Sequence, residues 1–367
     1  MDLLEGLRRA AADAGLAGFG VAAADPFPEV RAELERRVAS GANGTLRFTF
    51  AAPERSSDVA ASLPWASRLV VAAWAYLPAA GSPGPAVPGT GRVARFAERD
   101  HYAGLRDGLG ALARVLRDAG YRTEVLADDN RLVDRAAAVR AGVGWWGKNA
   151  QVLTPGPGPW TLLGSVATDA PLPPDRAMRR DCGTCTACLP ACPTGALVAP
   201  GVLDARRCLA HWAQAPGVIP VEYRIAMGDR VYGCDDCLEA CPPGARAAAA
   251  ATSRAGRLDL AALLRADDRT LRSSLAHWYV PRNQVRYVRR NALVALGNTG
   301  GPDAVAVAAG YAGHPDWLLR RHGVWALGRL GGAAAAAALR AAQRSEGDER
   351  VRPEIDAALR AVRSSGC

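Results

Sequence analysis

The sequence predicts an α+β chain in three parts, and three observations predict it. Short apolar strands alternate with amphipathic helices from the start of the chain to about position 170. Eight of the nine cysteines then fall between Cys182 and Cys241. Beyond them one helical pattern occurs twice, once around Arg289 and again around Arg320. The divisions read as 1–170, 171–246 and 247–367.

The first part opens with a helix within residues 2–20, with Leu3, Leu4, Leu7, Ala10, Ala11 and Ala14 at helical spacing and Gly15 ending it. Asp2, Glu5, Arg8, Arg9 and Asp13 break any apolar run, so this is no secretory leader. No segment approaches the roughly 20 apolar residues that span a bilayer. The expected setting is cytoplasmic and the expected state a monomer. Residues 19–22 read as a strand and 30–39 as a helix. Residues 68–77 (RLVVAAWAYL) form the longest apolar run of this part, a strand buried on both faces. Residues 78–91, rich in Pro and Gly, read as a surface loop. A helix follows at 101–119, a strand at 121–127 and a helix at 132–140. Residues 151–154 and 160–167 read as a hairpin across Pro155-Gly156-Pro157-Gly158.

The middle part carries the chemistry. It reads Cys182-x2-Cys185-x2-Cys188-x3-Cys192-Pro193, then Cys208, then Cys234-x2-Cys237-x3-Cys241-Pro242. That spacing is the bacterial ferredoxin pattern for [4Fe–4S] clusters, in which the fourth cysteine of each run serves the other cluster. Zinc sites usually show two C-x2-C pairs, not this pattern. The rule assigns Cys182, Cys185, Cys188 and Cys241 to one cluster. Cys192, Cys234, Cys237 and the displaced Cys208 form the other. Little regular structure is expected here, since clusters replace an apolar core. The short Ala-rich run 247–251 follows, and Cys367 is left over. Two clusters form a wire for single electrons, so the first part should hold an acceptor. The letters Gly142-x-Gly144-x-x-Gly147 follow a helix rather than a strand and do not support a dinucleotide.

In the last part, residues 289–297 align with 320–328, and a helix at 303–312 lies between them. This reads as a short HEAT-like solenoid. The formal net charge is +9, and Lys148 is the single lysine. From residue 281 onward 13 arginines face 7 acidic residues, a basic surplus suited to a polyanion.

Taken together, Leu126-Ala127-Asp128-Asp129-Asn130, Asp134-Arg135-Ala136, Arg140 through Asn149 (RAGVGWWGKN), Leu163 through Asp169 (LGSVATD), the cysteine runs with Cys208 between them, and Arg289-Arg290-Asn291-Ala292-Leu293 resemble the epoxyqueuosine reductases over nearly the whole chain. The resemblance implies an oxidoreductase of tRNA modification that reduces epoxyqueuosine to queuosine at the wobble position. It implies a nitroreductase-like α/β domain binding base-off cobalamin, two [4Fe–4S] clusters and an external one-electron reductant. It places the proton donor at Asp128, with Asp129 as the rival, because opening an epoxide needs an acid. The plain alternative is an Asx-turn or helix cap. Arg55 matches an arginine near the corrin. Lys148 is expected to touch cofactor or phosphate, and the backbones of Val152, Leu163 and Val166 to run beside the corrin. Arg135, Arg224, Arg286, Arg289, Arg290, Arg320 and Arg321 are candidates for the anticodon stem-loop. Two departures stand out. The chain has Asp128-Asp129-Asn130-Arg131 where relatives commonly have Asp-Ser/Thr-Gly-Pro, and Cys241-Pro242-Pro243-Gly244 also differs. A cobalamin-dependent reductase of another substrate such as an organohalide, and a non-catalytic electron carrier with an RNA-binding tail, are the rival readings.

Overall fold

The computed structural model describes residues 2–77, 86–249 and 256–364. Most of the Pro/Gly stretch, the end of the Ala-rich run and Cys367 lie outside the described residues. The strands in chain order are β1 Gly18–Ala23, β2 Arg68–Ala75, β3 Thr90–Val93, β4 Thr123–Ala127, β5 Trp145–Trp146, β6 Val152–Leu153, β7 Thr161–Thr168, β8 Leu197–Ala199, β9 Val202–Leu203, β10 Arg230–Tyr232 and β11 Leu258–Asp259. The helices that matter below are α1 Leu3–Asp13, α2 Pro28–Ala39, α3 His101–Asp118, α4 Asp134–Arg140, α5 Val221–Met227, α6 Arg286–Thr299, α7 Ala304–Ala312, α8 Trp317–Leu330, α9 Gly332–Ser345 and α10 Arg352–Ser364. Among the described residues no helix is long and apolar enough to cross a membrane.

The chain forms two compact units. The first comprises residues 1–82, 99–208 and 235–253, and the second 83–98, 209–234 and 254–367.

In the first unit a four-stranded sheet has the order β1-β2-β7-β4, every neighbour antiparallel. The alternation of strand and helix in the sequence therefore gives α+β rather than a parallel sheet. β2 lies between β1 and β7, which is why its run is apolar on both faces. Leu105, Leu109, Leu112 and Leu116 of α3 recur at helical spacing and are fully buried. Each contributes about 1.5–3 kcal/mol by leaving water. Gly164 of β7 is required where α3 crosses, since a β-carbon there would stand 2.6 Å from a Leu109 methyl. On the opposite face, a β-carbon at Gly20 would meet the Ala141 carbonyl at 2.1 Å, so α4 and its C-terminal turn press directly on β1. The sheet is thus covered by helices on both sides.

The expected hairpin of residues 151–167 does not form. β6 pairs with β5, while β7 pairs with β2 and β4. The intervening turn closes only through Thr154 and Gly158, which exchange two 2.8 Å backbone bonds. Pro155, Pro157 and Pro159 lack the donors a longer ladder needs. Trp160, fully buried, instead anchors the strand by donating from Nε1 to the Gly244 carbonyl at 2.9 Å.

The second unit holds the helical repeat. α6 and α8 are both 14 residues long, and Arg289 and Arg320 stand at the same position in each. They end at Gly300 and Gly331, each with φ of 68°. The left-handed conformation makes glycine the natural stop there. α7 lies between them, and α9 and α10 extend the array. A small sheet of order β10-β3-β11 belongs to this unit. β3 begins in the last two residues of the stretch read as a loop and runs past it, and residues 197–232 carry the β8–β9 hairpin, α5 and β10 where little regular structure was expected.

Candidate active site

β4 ends at Ala127, opposite Gly164 of β7. The next residue, Asp128, turns into the left-handed region with φ of 56°. Asp129 then builds the turn. Its Oδ1 accepts the Arg131 amide at 2.9 Å, and its carboxylate takes the Arg131 guanidinium at 2.6 Å. Buried Ser56 pins the loop from below: its Oγ donates to the Asn130 carbonyl at 2.6 Å, and its own carbonyl accepts the Val133 amide. The Asx-turn role therefore belongs to Asp129, and Asp128 has no hydrogen-bond partner among the described residues.

The electrostatics separate the pair further. Hydrogen bonds from Arg131 hold the Asp129 carboxyl below its ordinary range, with the charge of Arg55 helping. Asp128 is exposed, yet desolvation by the protein around it pushes its carboxyl up; Arg106 opposes this and the neighbouring charge of Asp129 adds to it. Around Asp128 stand Tyr102 and Arg106 of α3 and Asp134 and Arg135 of α4. Burial raises Asp134 well above the carboxylate range, the Asp128 charge adding to it; Asp134 Oδ1 is buried without a partner. Burial, then Asp128 and Asp134, also raise the Tyr102 phenol. Arg135 reaches solvent, yet dense surrounding protein pulls its pKa down. Tyr102, Arg106 and Asp134 carry no spacing signal that would have singled them out as site residues. The Asp134-Arg135 pair at a helix start beside Asp128 is the nearest hint.

The other expected residues distribute unevenly. Arg55 is exposed, donates to Ser62 Oγ at 3.0 Å and acts on Asp129. Leu163 and Val166 differ by position in the ladder. The Tyr76 amide bonds to the Trp160 carbonyl, so even-numbered residues of β7 bond towards β2 and odd-numbered ones towards β4. Val166 thus spends its peptide groups on β2, and its side chain is fully buried. It does not offer the amide contact expected of it. Leu163 points its peptide groups towards the β4 side, one step past the end of β4, level with Asp128. The Gly147 amide bonds the Gln151 carbonyl, which makes Trp146–Val152 a non-hydrogen-bonded pair and turns the Val152 peptide groups away from β5. Lys148 Nζ donates to the Gly183 carbonyl at 2.6 Å, inside the first cysteine loop.

None of the eight cysteines of the span is joined in a disulfide. Cys182, Cys185, Cys188 and Cys241 act on one another electrostatically. Burial raises the Cys188 and Cys241 thiols, and the neighbouring sulfurs raise them further. Soft thiolate ligands in this spacing suit an iron–sulfur cluster. Burial acts upward on Cys192, but hydrogen bonds from Thr194, Ala196 and Leu197 outweigh it, the Ala196 amide at 3.2 Å among them. Cys192 and Cys237 pack in one apolar cluster with Cys188, Leu189 and Leu197. Cys208 belongs to the same unit, and Cys234 ends a segment of the second unit.

The arginines of the second unit are structural. Arg224 and Arg290 are fully buried. Arg224 pairs with Glu354 at 2.9 Å. Arg290 donates to the carbonyls of Trp212, Ala215 and Gly217 at 2.6–2.9 Å. Arg286 pairs with Asp316, Arg289 with Asp268, Arg320 with Glu346 and Arg321 with Glu354. Burial withdraws Arg224 and Arg290 from any RNA contact, while Arg286, Arg289, Arg320 and Arg321 are partly exposed and each holds a carboxylate partner.

Comparisons with known proteins agree with this arrangement. Residues 181–244 match the family described as 4Fe-4S double cluster binding domain, and residues 282–360 match HEAT repeats. An epoxyqueuosine reductase of Bacillus cereus is 31% identical over 363 residues, covering 94% of this chain and 93% of that protein. A crystal structure of epoxyqueuosine reductase with an epoxyqueuosine-modified tRNA-Tyr stem loop superposes with a TM-score of 0.90 at 30% identity, covering 98% of this chain and 99% of the other. The Bacillus subtilis enzyme, solved with its catalytic aspartate loop swung out of the active site, has a TM-score of 0.87 at 29% identity over the same shares. A two-cluster cysteine domain, a HEAT-type helical array and a carboxylate loop at the end of a sheet strand, in a chain matched end to end by these relatives, make this oxidoreductase a member of the epoxyqueuosine reductase family.

Proposed function

We propose that this chain reduces the epoxide of epoxyqueuosine, carried at the wobble position of a tRNA anticodon stem-loop, to the alkene of queuosine, with Asp128 as the proton donor. The overall change takes two electrons and two protons and releases the epoxide oxygen as water. The observation that carries the reading is the opposite treatment of two adjacent carboxylates. Asp129 is tied to Arg131 and held ionised. Asp128 is untied, held in a left-handed backbone and shifted towards the protonated form. A carboxylic acid with a raised pKa can donate to a departing oxygen near neutral pH.

Cobalamin, when bound, supplies the reduction at carbon. The residues present fit it: the outward peptide groups of Leu163 and Val152 suit the amide-bearing rim of a corrin, next to the loop that presents Asp128. Arg55 acts on that loop and favours ionised Asp129. Arg135 and Tyr102 stand beside Asp128 and Asp134 and can orient a polar, hydroxyl-bearing base. The eight cysteines, in the two sets read from their spacing, would hold two [4Fe–4S] clusters that would pass single electrons from an external reductant. The three divisions at 1–170, 171–246 and 247–367 then correspond to chemistry, electron supply and helical support, in a cytoplasmic monomer.

Two measurements test this. Protein reconstituted with iron, sulfide and cobalamin should keep a corrin absorption band through gel filtration; loss of the band sinks the cofactor assignment. Cells lacking the gene should accumulate epoxyqueuosine in tRNA nucleosides read by mass spectrometry, and absence of accumulation sinks the substrate assignment.

A further inference from the structure

The segment from His277 to Gln284, in the second unit, is built to hold one aromatic ring in the open. Tyr279 is 67% exposed, the most exposed large hydrophobic side chain among the described residues. Its backbone is fixed nonetheless. The Tyr232 hydroxyl donates to the Tyr279 carbonyl at 2.9 Å. Tyr232 stacks on Trp278 with ring centres 4.4 Å apart, and Trp278 Nε1 donates to the Ala97 carbonyl at 2.8 Å. His277 Nε2 meets the same carbonyl at 2.9 Å. Two buried aromatics therefore clamp the residue before and the carbonyl of the exposed one.

The turn that follows is strained. Arg282 and Asn283 have φ of 52° and 54° in succession. Asn tolerates the left-handed region, but an arginine gains nothing from it, and glycine would hold the same turn without strain. Such outliers persist where the side chain is used. Arg282 is exposed, and among the described residues no acceptor takes a hydrogen bond from its guanidinium. The contrast with Arg286, Arg289 and Arg290 a few residues later, all internally tied, is direct.

We propose that Tyr279 and Arg282 form a contact platform for an unpaired nucleotide of the RNA substrate, the tyrosine ring stacking on a base and the guanidinium meeting a phosphate. Single-stranded RNA is recognised by this pair of contacts, a fixed aromatic face and a free cation, whereas duplex RNA hides its bases. The proposal rests on the tRNA reading above and adds where the second unit touches the loop.

The test uses the full chain with its clusters reconstituted. Fluorescence anisotropy follows binding of a labelled RNA stem-loop of anticodon size and of a fully paired duplex of similar length. Tyr279→Ala should weaken the stem-loop about tenfold, as loss of one stacking contact does, while Tyr279→Phe stays within about twofold. Arg282→Gly should lower the slope of log affinity against log salt by about 0.7, one phosphate contact, without lowering the thermal midpoint. If wild type binds the stem-loop and both variants match it, the platform is wrong and the tRNA reading stands. If wild type fails to bind the stem-loop, both fall. Equal weakening on the duplex also overturns the platform. So does a change confined to electron uptake from a protein reductant, since it would make this a protein-docking patch.

Discussion

The loop around Asp128 in the first unit and the arginine-bearing helices of the second treat charge in opposite ways. In the helices every expected RNA-binding arginine already has a carboxylate or a carbonyl cage. In the loop Asp128 is untied, Asp134 Oδ1 is buried and bare, and Tyr102 and Arg135 beside them are displaced from their ordinary titration ranges. Fully satisfied charges stabilise a fold. Charges left unsatisfied cost stability and persist where chemistry uses them.

The sharpest way to break this comparison is to neutralise the two adjacent carboxylates separately. Asp128→Asn should lower the single-turnover rate by about 10²–10⁴, the usual worth of a general acid, with the far-ultraviolet circular dichroism unchanged. Asp129→Asn should cost less than about tenfold. Equal losses would show that the loop's shape matters and not Asp128's proton. Next in size is Arg290→Met, which leaves the carbonyls of Trp212, Ala215 and Gly217 unpaired. It should destabilise by about 3–5 kcal/mol in denaturant titration, with RNA affinity of the folded fraction unchanged. A large affinity loss in folded protein would restore Arg290 as an RNA contact.

The pH dependence is smaller and has a definite sign. Asp128 must be protonated to donate, so kcat/KM should fall as pH rises through its raised pKa. Asp128→Asn should remove that limb. Asp134 has a folded pKa well above its unfolded one, so the folded state binds the extra proton. Its contribution is present below the unfolded value and is lost as pH rises through the folded value. Asp134→Asn should therefore flatten the decline of thermal midpoint with rising pH. Smallest of all, Arg286→Ala removes a half-exposed pair with Asp316 and should cost no more than about 1 kcal/mol.

Elements whose signal is complete within their own residues were legible in the sequence. β2, α3 and the paired helices α6 and α8 carry their periods in full, and the cysteine spacing carries the clusters. β3 was not legible, because four residues, Thr90–Val93, become a strand only through β10 and β11, far along the chain. Residues 155–160 misled because a Pro-Gly turn between apolar runs is the usual hairpin sign, while Trp160 and the three prolines oppose one. Among the site residues, Asp128 was placed by likeness, but its separation from Asp129 was not. The Arg131 amide donates to Asp129 Oδ1 and commits Asp129 to the turn, a bond that exists only once the loop is folded. The different settings of neighbouring arginines have a geometric reason. Arg289 and Arg290 are neighbours in sequence, yet a helix turns about 100° between them. One meets Asp268 at the surface and the other is sealed inside.

During synthesis β3 has to wait. The strand leaves the ribosome once Val93 is made, and β10 begins only at Arg230. At about 5–20 residues per second that gap is on the order of ten seconds. Both edges of β3 lack their strands throughout, because β11 arrives later still. The first unit also cannot close, since Gly244 must be made before Trp160 finds its carbonyl. This protein therefore spends much of its translation with an unpaired strand and an unanchored tryptophan, which makes the nascent chain, more than the finished enzyme, the state that needs a chaperone's protection.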